Sequence, residues 1–499
     1  MTKLFFDSIA TKALETMEDT DKHIFLTGKA GTGKSTLLMH FLEITKKNIV
    51  LLAPTGVAAL NIATLHSFFG FPPTLTLKKA KQEAKFQIGD PKFTELDTIV
   101  IDEISMVRAD MMDCIHEFLK IVRSALPFGG VQLIMIGDLY QLPPVVTKFE
   151  KEFFQKEYPS PYFFDAKIMK KKNFSMEFIE LEKVYRQSDQ KFIDILNAIR
   201  TKTLTDKHLD LLNTRVSEDI DIADGMVYLA GTNAIVDTIN QTYLADVDAR
   251  SVNFKATSKG EMQRQLPADA KLVLKKAQVM FIANDPDGRR VNGTLGKIIF
   301  LKKDRIVVQI YGEEVEVPHT WRVSQYEYNP SKKRLDVFTV GSFTQLPLTL
   351  ARAVTIHKSQ GKTFDKVIID LSSIFAHGQS YVALSRCRTL EGITLTNHVE
   401  HGHIRLDYCV VRFVAEMHCS RPELLLSTDK KVALFSEVIA KKRTSMTYVK
   451  SQDTTARRLF EPYEVGMMEY EFSFLVKYCH TQKGERVFRI DRILELEKE

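Results

Sequence analysis

The sequence predicts an α/β protein of two tandem lobes, with a small β-rich insertion in the second lobe and a β-rich module at the C-terminal end. Three observations predict it. Short runs with apolar residues on both faces, such as His23-Ile24-Phe25-Leu26-Thr27, alternate with helical stretches, and such strands belong to parallel sheets covered by helices. The same alternation restarts after Leu181. Inside that second pattern, about residues 251–345 change to short strands separated by glycine turns, the signature of a small barrel or meander.

In order along the chain, the first lobe spans 1–180. After the His23–Thr27 strand come a Gly-rich turn, a helix over Lys34–Thr45, and strands at Asn48–Ala53, Thr98–Asp102 and Val131–Ile136. A lysine-rich insertion over about 70–97 opens on Pro72-Pro73, and its Lys78, Lys79, Lys81 and Lys85 read first as a solvated helix face. The second lobe spans 181–400, with strands at Met226–Ala230, Val367–Leu371 and Ile393–Thr396. Its insertion includes Val291–Gly296, Ile298–Leu301 and Arg305–Gly312, and Trp321 reads as a packing residue there. Residues 401–428 read as a linker, and 429–499 as a separate module.

Composition narrows the function classes. The 499 residues are 44% apolar and 26% charged, an ordinary globular balance that excludes disorder as the main state. Lys+Arg 69 against Asp+Glu 63 leaves +6, which permits a nucleic-acid partner without requiring one. No apolar run is long enough to span a bilayer, so no membrane partner is expected. Asp7 and Ser8 interrupt the opening residues, so no secretory leader is expected. Five scattered cysteines without Cys-x-x-Cys point to a reducing, cytoplasmic setting. His398, His401 and His403, with Cys409 and Cys419, match no standard zinc spacing and read as an inter-domain loop.

The chemistry begins at Gly28-Lys29-Ala30-Gly31-Thr32-Gly33-Lys34-Ser35, which fits G-x-x-x-x-G-K-[ST] between a strand and a helix. Glycines let backbone N–H groups curl around phosphate oxygens, and the helix start adds positive charge. Lys34 would neutralise the β- and γ-phosphates, and Ser35 would ligate Mg²⁺. Gly28, Ala30, Gly31, Thr32, Gly33 and Thr36 complete the expected ATP cradle. Asp102, ending an apolar strand, suits the Mg²⁺ shell. Glu103 beside it suits orientation or deprotonation of the attacking water. Gln141, in Gly137-Asp138-Leu139-Tyr140-Gln141-Leu142-Pro143-Pro144, is placed to sense the γ-phosphate.

These segments, with Ala53-Pro54-Thr55-Gly56-Val57-Ala58-Ala59 and Thr64-Leu65-His66-Ser67-Phe68-Phe69, resemble successive superfamily-one helicase motifs. Among those they are similar to the Pif helicases, named for petite integration frequency. Val184-Tyr185-Arg186-Gln187, Leu350 to Thr363 and Tyr381-Val382-Ala383-Leu384-Ser385-Arg386 resemble motifs IV, V and VI. The resemblance covers about residues 1–400. It implies two RecA-like P-loop lobes with ATP and Mg²⁺ between them, and an inserted Src-homology-type barrel. It further implies 5′-to-3′ translocation on single-stranded DNA with unwinding at duplex junctions. One departure is visible: the family's adenine-reading Gln before the phosphate loop is absent around Ile9–Leu14.

The resemblance assigns Arg186 and Arg386 as arginine fingers, Gly361 to the nucleotide, and Thr55, His66, Phe68, His357 and Lys358 to DNA. Phe68 and Phe69 also read as candidates for the core. Residues 429–499 resemble a WYL domain, with Ser473-Phe474-Leu475 where the naming tripeptide stands. Its Arg458, Phe474 and Arg489 suit stacking and phosphate pairing. A monomer is expected. Forks, G-quadruplexes and RNA–DNA hybrids stay open as substrates, and a DNA-responsive ATPase switch without unwinding stays open as the alternative activity.

Overall fold

The computed structural model describes residues 6–54, 63–72, 74–187, 189–220, 222, 225–247, 250–260, 271–283, 290, 292–318 and 320–419, and the strands between 444 and 498. The first lobe holds five strands: β1 (His23–Gly28), β2 (Ile49–Leu52), β3 (Thr98–Ile101), β4 (Gln132–Ile136) and β5 (Met176–Leu181). They form one sheet in the order β2-β3-β4-β1-β5, every pair parallel. Alternate residues serve opposite faces. Phe25, Ile99, Ile101 and Met135 join an aromatic core with Phe69, Phe93 and Phe118. Ile24, Leu26, Val100, Ile134 and Ile136 pack with Leu37, Leu38 and Phe41. Two covered faces explain why these strands read as apolar throughout.

β5 is absent from the sequence reading. It is an edge strand, and Glu177 and Glu180 break its apolar run. The turn into β4 is tight: a Cβ on Gly129 (φ 66°) would sit 2.7 Å from the Leu119 carbonyl oxygen. The 70–97 insertion contains a Leu77–Phe86 helix. Its Ala80 and Ala84 belong to the first-lobe core, and Lys81 pairs with Glu117 at 3.1 Å.

The second lobe carries a four-stranded parallel sheet: Ala353–Thr355, β6 (Val227–Ala230), Val367–Ile369 and Ile393–Leu395, in that spatial order. Its main core joins Val227, Leu229, Val367 and Ile369 to Phe192, Ile195, Val382 and Leu384. Gln278 ties the insertion to this lobe, its Nε2 donating to the Met226 and Ala351 carbonyls at 2.7 and 2.9 Å.

The insertion is antiparallel. One five-stranded sheet runs Glu313–Glu316, Ile306–Ile310, Leu295–Leu301, Gln278–Phe281, Leu348–Leu350. A long hairpin, Thr320–Asn329 with Arg334–Thr344, pairs with Thr257–Gly260 in a second sheet. This hairpin reaches the first lobe, where the Tyr326 hydroxyl accepts from the amide of Leu51 on edge strand β2 at 3.1 Å.

The segment read as a 401–428 linker contains a helix instead, Tyr408–Cys419. It returns to the first lobe. Val410 and Phe413 are buried in that lobe's core, and the Phe413 and Phe164 rings stack at 4.1 Å. Just before it, the Tyr162 hydroxyl donates to Asp407 at 2.9 Å. The C-terminal strands form one antiparallel sheet, ordered Gly484–Arg489, Glu471–Cys479, Thr455–Met468, Thr444–Val449, Ile493–Lys498. No helix among the described residues is long and apolar enough to cross a membrane.

Candidate nucleotide cleft and nucleic-acid face

The phosphate loop leaves β1 at Gly28 and enters the Lys34–Ile44 helix through Gly31 and Gly33, at φ 84° and 82°. Gly33 caps the helix with no side-chain acceptor, so its first N–H groups remain available to an anion. A Cβ on Gly31 would lie 2.6 Å from the Arg186 Cβ; only glycine lets the chain beyond β5 approach this closely. Ala30 and Thr32 are buried, while Ser35 and Thr36 are exposed at the helix start. Lys34 Nζ donates to the Gly28 and Lys29 carbonyls at 2.7 and 3.0 Å. Burial lowers its pKa, against the opposing charges of Asp138 and Glu103.

Asp102 and Glu103 follow β3. Glu103 adopts left-handed backbone angles, φ 51° and ψ 45°, a conformation costing a non-glycine residue about 1 kcal/mol or more. Asp102 Oδ1 accepts from the Glu103 N–H at 2.8 Å and holds the turn. Burial, then the neighbouring Glu103 charge, raises the Asp102 pKa. Two adjacent carboxylates, one of them desolvated, beside a single ammonium form a donor set that suits a hard divalent cation.

The second lobe supplies the opposite wall. Gln360 Nε2 donates to Glu103 Oε2 at 2.8 Å and lies 3.4 Å from Gln141 Oε1. Gly361 follows at φ 77°, where a Cβ would stand 3.9 Å from Glu103 Oε1. Arg386 is buried, donating to the Val382 and Lys362 carbonyls and to Ser385 Oγ at 2.9, 3.2 and 3.0 Å. Burial, then the Arg186 charge, lowers its pKa to about 9, with Glu103 opposing. Arg186 Nη1 reaches the Ser385 carbonyl at 3.5 Å. Both arginines therefore converge near the phosphate loop and the acidic pair.

Several cleft residues escaped the sequence reading. Tyr381 lies in the motif that ends at Arg386, and its hydroxyl accepts from the Ala30 N–H at 2.8 Å across the lobes. Gln360 sits between two motif residues already singled out. Arg200, on the Gln190–Thr201 helix, donates to Asp138 Oδ1 through Nε and Nη2 at 3.3 and 3.2 Å; no local pattern marks it. Tyr185 donates its N–H to the Gly31 carbonyl at 2.8 Å. Its ring, 54% exposed, comes within 3.6 Å of a Cβ placed on Gly33.

The expected DNA contacts are dispersed. Thr55 lies outside the described residues. His66 is half-buried on the Leu65–Phe69 helix, which Thr64 caps. Phe68 is buried against Phe69, Phe93 and Tyr326, with Lys92 Nζ 4.5 Å from its ring centroid. Its ring belongs to the core in this conformation. His357 and Lys358 occupy the short Ile356–Ser359 helix of the second lobe, Lys358 exposed. Arg458, Phe474 and Arg489 fall at strand positions paired with Met446, Val465 and Ser473, and their side chains lie outside the described residues.

A phosphate loop, an acidic pair and a glutamine on one lobe, faced by two arginines on another, define a two-lobed nucleoside-triphosphatase motor. Comparison with known proteins places it further. Residues 3–209 match the PIF1-like helicase family, and residues 433–498 match the WYL domain. The chain is 33% identical over 392 residues to the ATP-dependent DNA helicase Pif1 of Bdellovibrio bacteriovorus, covering 75% of this chain and 84% of that one. Against human ATP-dependent DNA helicase PIF1 it is 35% identical over 427 residues, covering 81% of this chain and 63% of the human one. The crystal structure of Bacteroides sp Pif1 with ADP-AlF4 superposes with a TM-score of 0.71 at 37% identity, covering 83% and 97% of the two chains. Bacteroides Pif1 bound to ssDNA gives 0.63 at 37% identity, covering 82% and 96%. The chain belongs to the PIF1-like helicase family of ATP-dependent DNA helicases and carries a WYL-like domain at its C-terminal end.

Proposed function

We propose that this chain moves 5′-to-3′ along single-stranded DNA and separates strands at duplex junctions, with ATP hydrolysed between the 1–180 and 181–400 lobes. The observation that carries the reading is the Gln360–Glu103 bond at 2.8 Å, which joins the water-activating carboxylate of one lobe to a motif of the other. Gly28 to Gly33 cradle the phosphates, with Ser35 and Thr36 at the helix start. Lys34 exchanges its two carbonyl partners for phosphate oxygens. Ser35 and Asp102 hold Mg²⁺, which when bound neutralises phosphate charge. Glu103 orients the attacking water, with Gln141 beside it. Arg186 and Arg386 supply positive charge as the lobes close, a contribution of about 10³–10⁵ in rate for arginine fingers generally. Gly361 lets the second lobe approach the γ-phosphate end. Tyr185, with its open ring beside Gly33, takes the adenine face in place of the absent glutamine.

Because closure completes the site, hydrolysis and opening alternate, and DNA held by both lobes advances. Thr55 and His66 on one lobe and His357 and Lys358 on the other grip the strand. Phe68 joins them only if its ring leaves the core. The insertion curls into a small Src-homology-type barrel. The WYL-like domain adds single-strand affinity through Arg458, Phe474 and Arg489. The setting is cytoplasmic and the unit a monomer; forks, G-quadruplexes and RNA–DNA hybrids are the candidate substrates.

The test is ATP turnover with and without oligo-dT, followed by strand separation on duplexes with a 5′ or a 3′ tail. Strong stimulation and 5′-tailed unwinding are expected. Stimulation without unwinding would make the chain a DNA-responsive switch. Removing residues 429–499 should weaken DNA binding and spare basal turnover; unchanged affinity would reject the DNA role of that domain.

A further inference from the structure

The C-terminal edge of the second-lobe sheet carries a feature the motifs do not explain. The strand Val367–Ile369 opens into a loop that ends at the Gln379–Leu384 helix. On that loop Phe375 is 56% exposed. The loop is held firmly beneath it. The buried Gln379 carboxamide oxygen accepts from the N–H groups of both Phe375 and Ala376, each at 2.9 Å. Arg405 Nη1 donates to the Phe375 carbonyl at 2.8 Å. Three hydrogen bonds thus fix the backbone around an aromatic ring that faces water. That ring stacks near-parallel with His357, centroids 6.3 Å apart and planes 20° apart. The exposed Lys358 is the next residue along.

We propose that Phe375 is a base-stacking platform for single-stranded DNA, backed by His357, with Lys358 positioned for the adjoining phosphate. The occupant follows from the chemistry. A flat, exposed π-face on a pre-ordered loop, with an exposed lysine on the short helix that carries its stacking partner His357, suits an unpaired nucleobase, because every base offers a π-face and brings a phosphate with it. The fixed backbone means that little ordering cost falls on binding. The inference rests on the reading that this rim of the second lobe meets DNA.

Stacking on one aromatic side chain is generally worth about 1–3 kcal/mol per base, which corresponds to about 5- to 150-fold in affinity. The experiment measures fluorescence anisotropy of labelled oligo-dT, and of an abasic oligonucleotide of equal length, with the full chain. Phe375→Ala keeps all three backbone hydrogen bonds, so folding and DNA-free ATP turnover should match the parent. Its oligo-dT affinity should fall about tenfold, while its abasic affinity stays unchanged. Phe375→Trp should restore binding and Phe375→Leu should not. Parental oligo-dT affinity in Phe375→Ala, or full rescue by Leu, overturns the platform. Lys358→Ala separates the two claims. If it weakens binding while Phe375→Ala does not, the rim meets DNA but the platform is wrong. If neither matters, the reading of the rim fails as well.

Discussion

In the nucleotide cleft, Lys34 donates to two loop carbonyls, Glu103 accepts from Gln360, and Arg386 reaches three acceptors in its own lobe. On the outer rim of the second lobe, Lys358 and Phe375 face solvent above an ordered backbone. Lys34, Glu103 and Arg386 are thus held by protein partners, as buried ionised groups require, so substrate has to displace bonds already made. The rim has no such bonds to exchange at its ring. Changes in the cleft should therefore appear in turnover, and changes on the rim in affinity.

The largest expected effect is Arg386→Ala, a loss of about 10³–10⁵ in DNA-stimulated turnover, with nucleotide binding reduced far less; a large loss of binding with little loss of turnover would break the comparison. Next comes Glu103→Gln, which removes a base and should lower turnover by about 10²–10⁴ in single-turnover hydrolysis. Gln360→Ala sharpens the contrast further. Gln360 acts through Glu103, so turnover should fall by up to about 10²-fold while the KM for ATP holds; a matching rise in KM would make it a substrate contact instead. Tyr381→Phe leaves the buried Ala30 N–H without its acceptor, which costs about 1–3 kcal/mol and should show as a lowered thermal midpoint.

A pH-dependent effect lies away from both regions. Burial lowers the His23 pKa from 6.5 to about 4, and its Nδ1 accepts from the Leu133 N–H at 3.0 Å. The native state keeps this ring neutral while the unfolded chain protonates it. Its contribution is therefore whole above pH 6.5 and is lost as pH falls towards 4, up to about 3 kcal/mol. Denaturant titrations of the parent and His23→Gln at pH 7 and 4.5 should show a smaller acid loss in the variant.

The parts legible from sequence are those written in consecutive residues. The phosphate loop needs two glycines, a lysine and a serine or threonine at fixed spacing, and the buried strands need apolar runs, so β1 to β4 and the acidic pair stood out. The parts that escaped depend on residues far apart in the chain. β5 has carboxylates at an edge, where alternation is weak. The Tyr408–Cys419 helix looked like a connector because its partner, Phe164, lies in another lobe. Arg200 meets Asp138 only after folding. Phe68 shows the opposite limit: its motif suggests a DNA contact, while burial among Phe69, Phe93 and Tyr326 is decided by tertiary packing.

The central claim is that one ATP site is completed by two lobes. The most direct measurement is ATP hydrolysis titrated with oligo-dT for the parent, Arg186→Ala, Arg386→Ala and the double variant. The account predicts steep stimulation in the parent and none in the double variant, with nucleotide still bound. Undiminished stimulation without both arginines would contradict it.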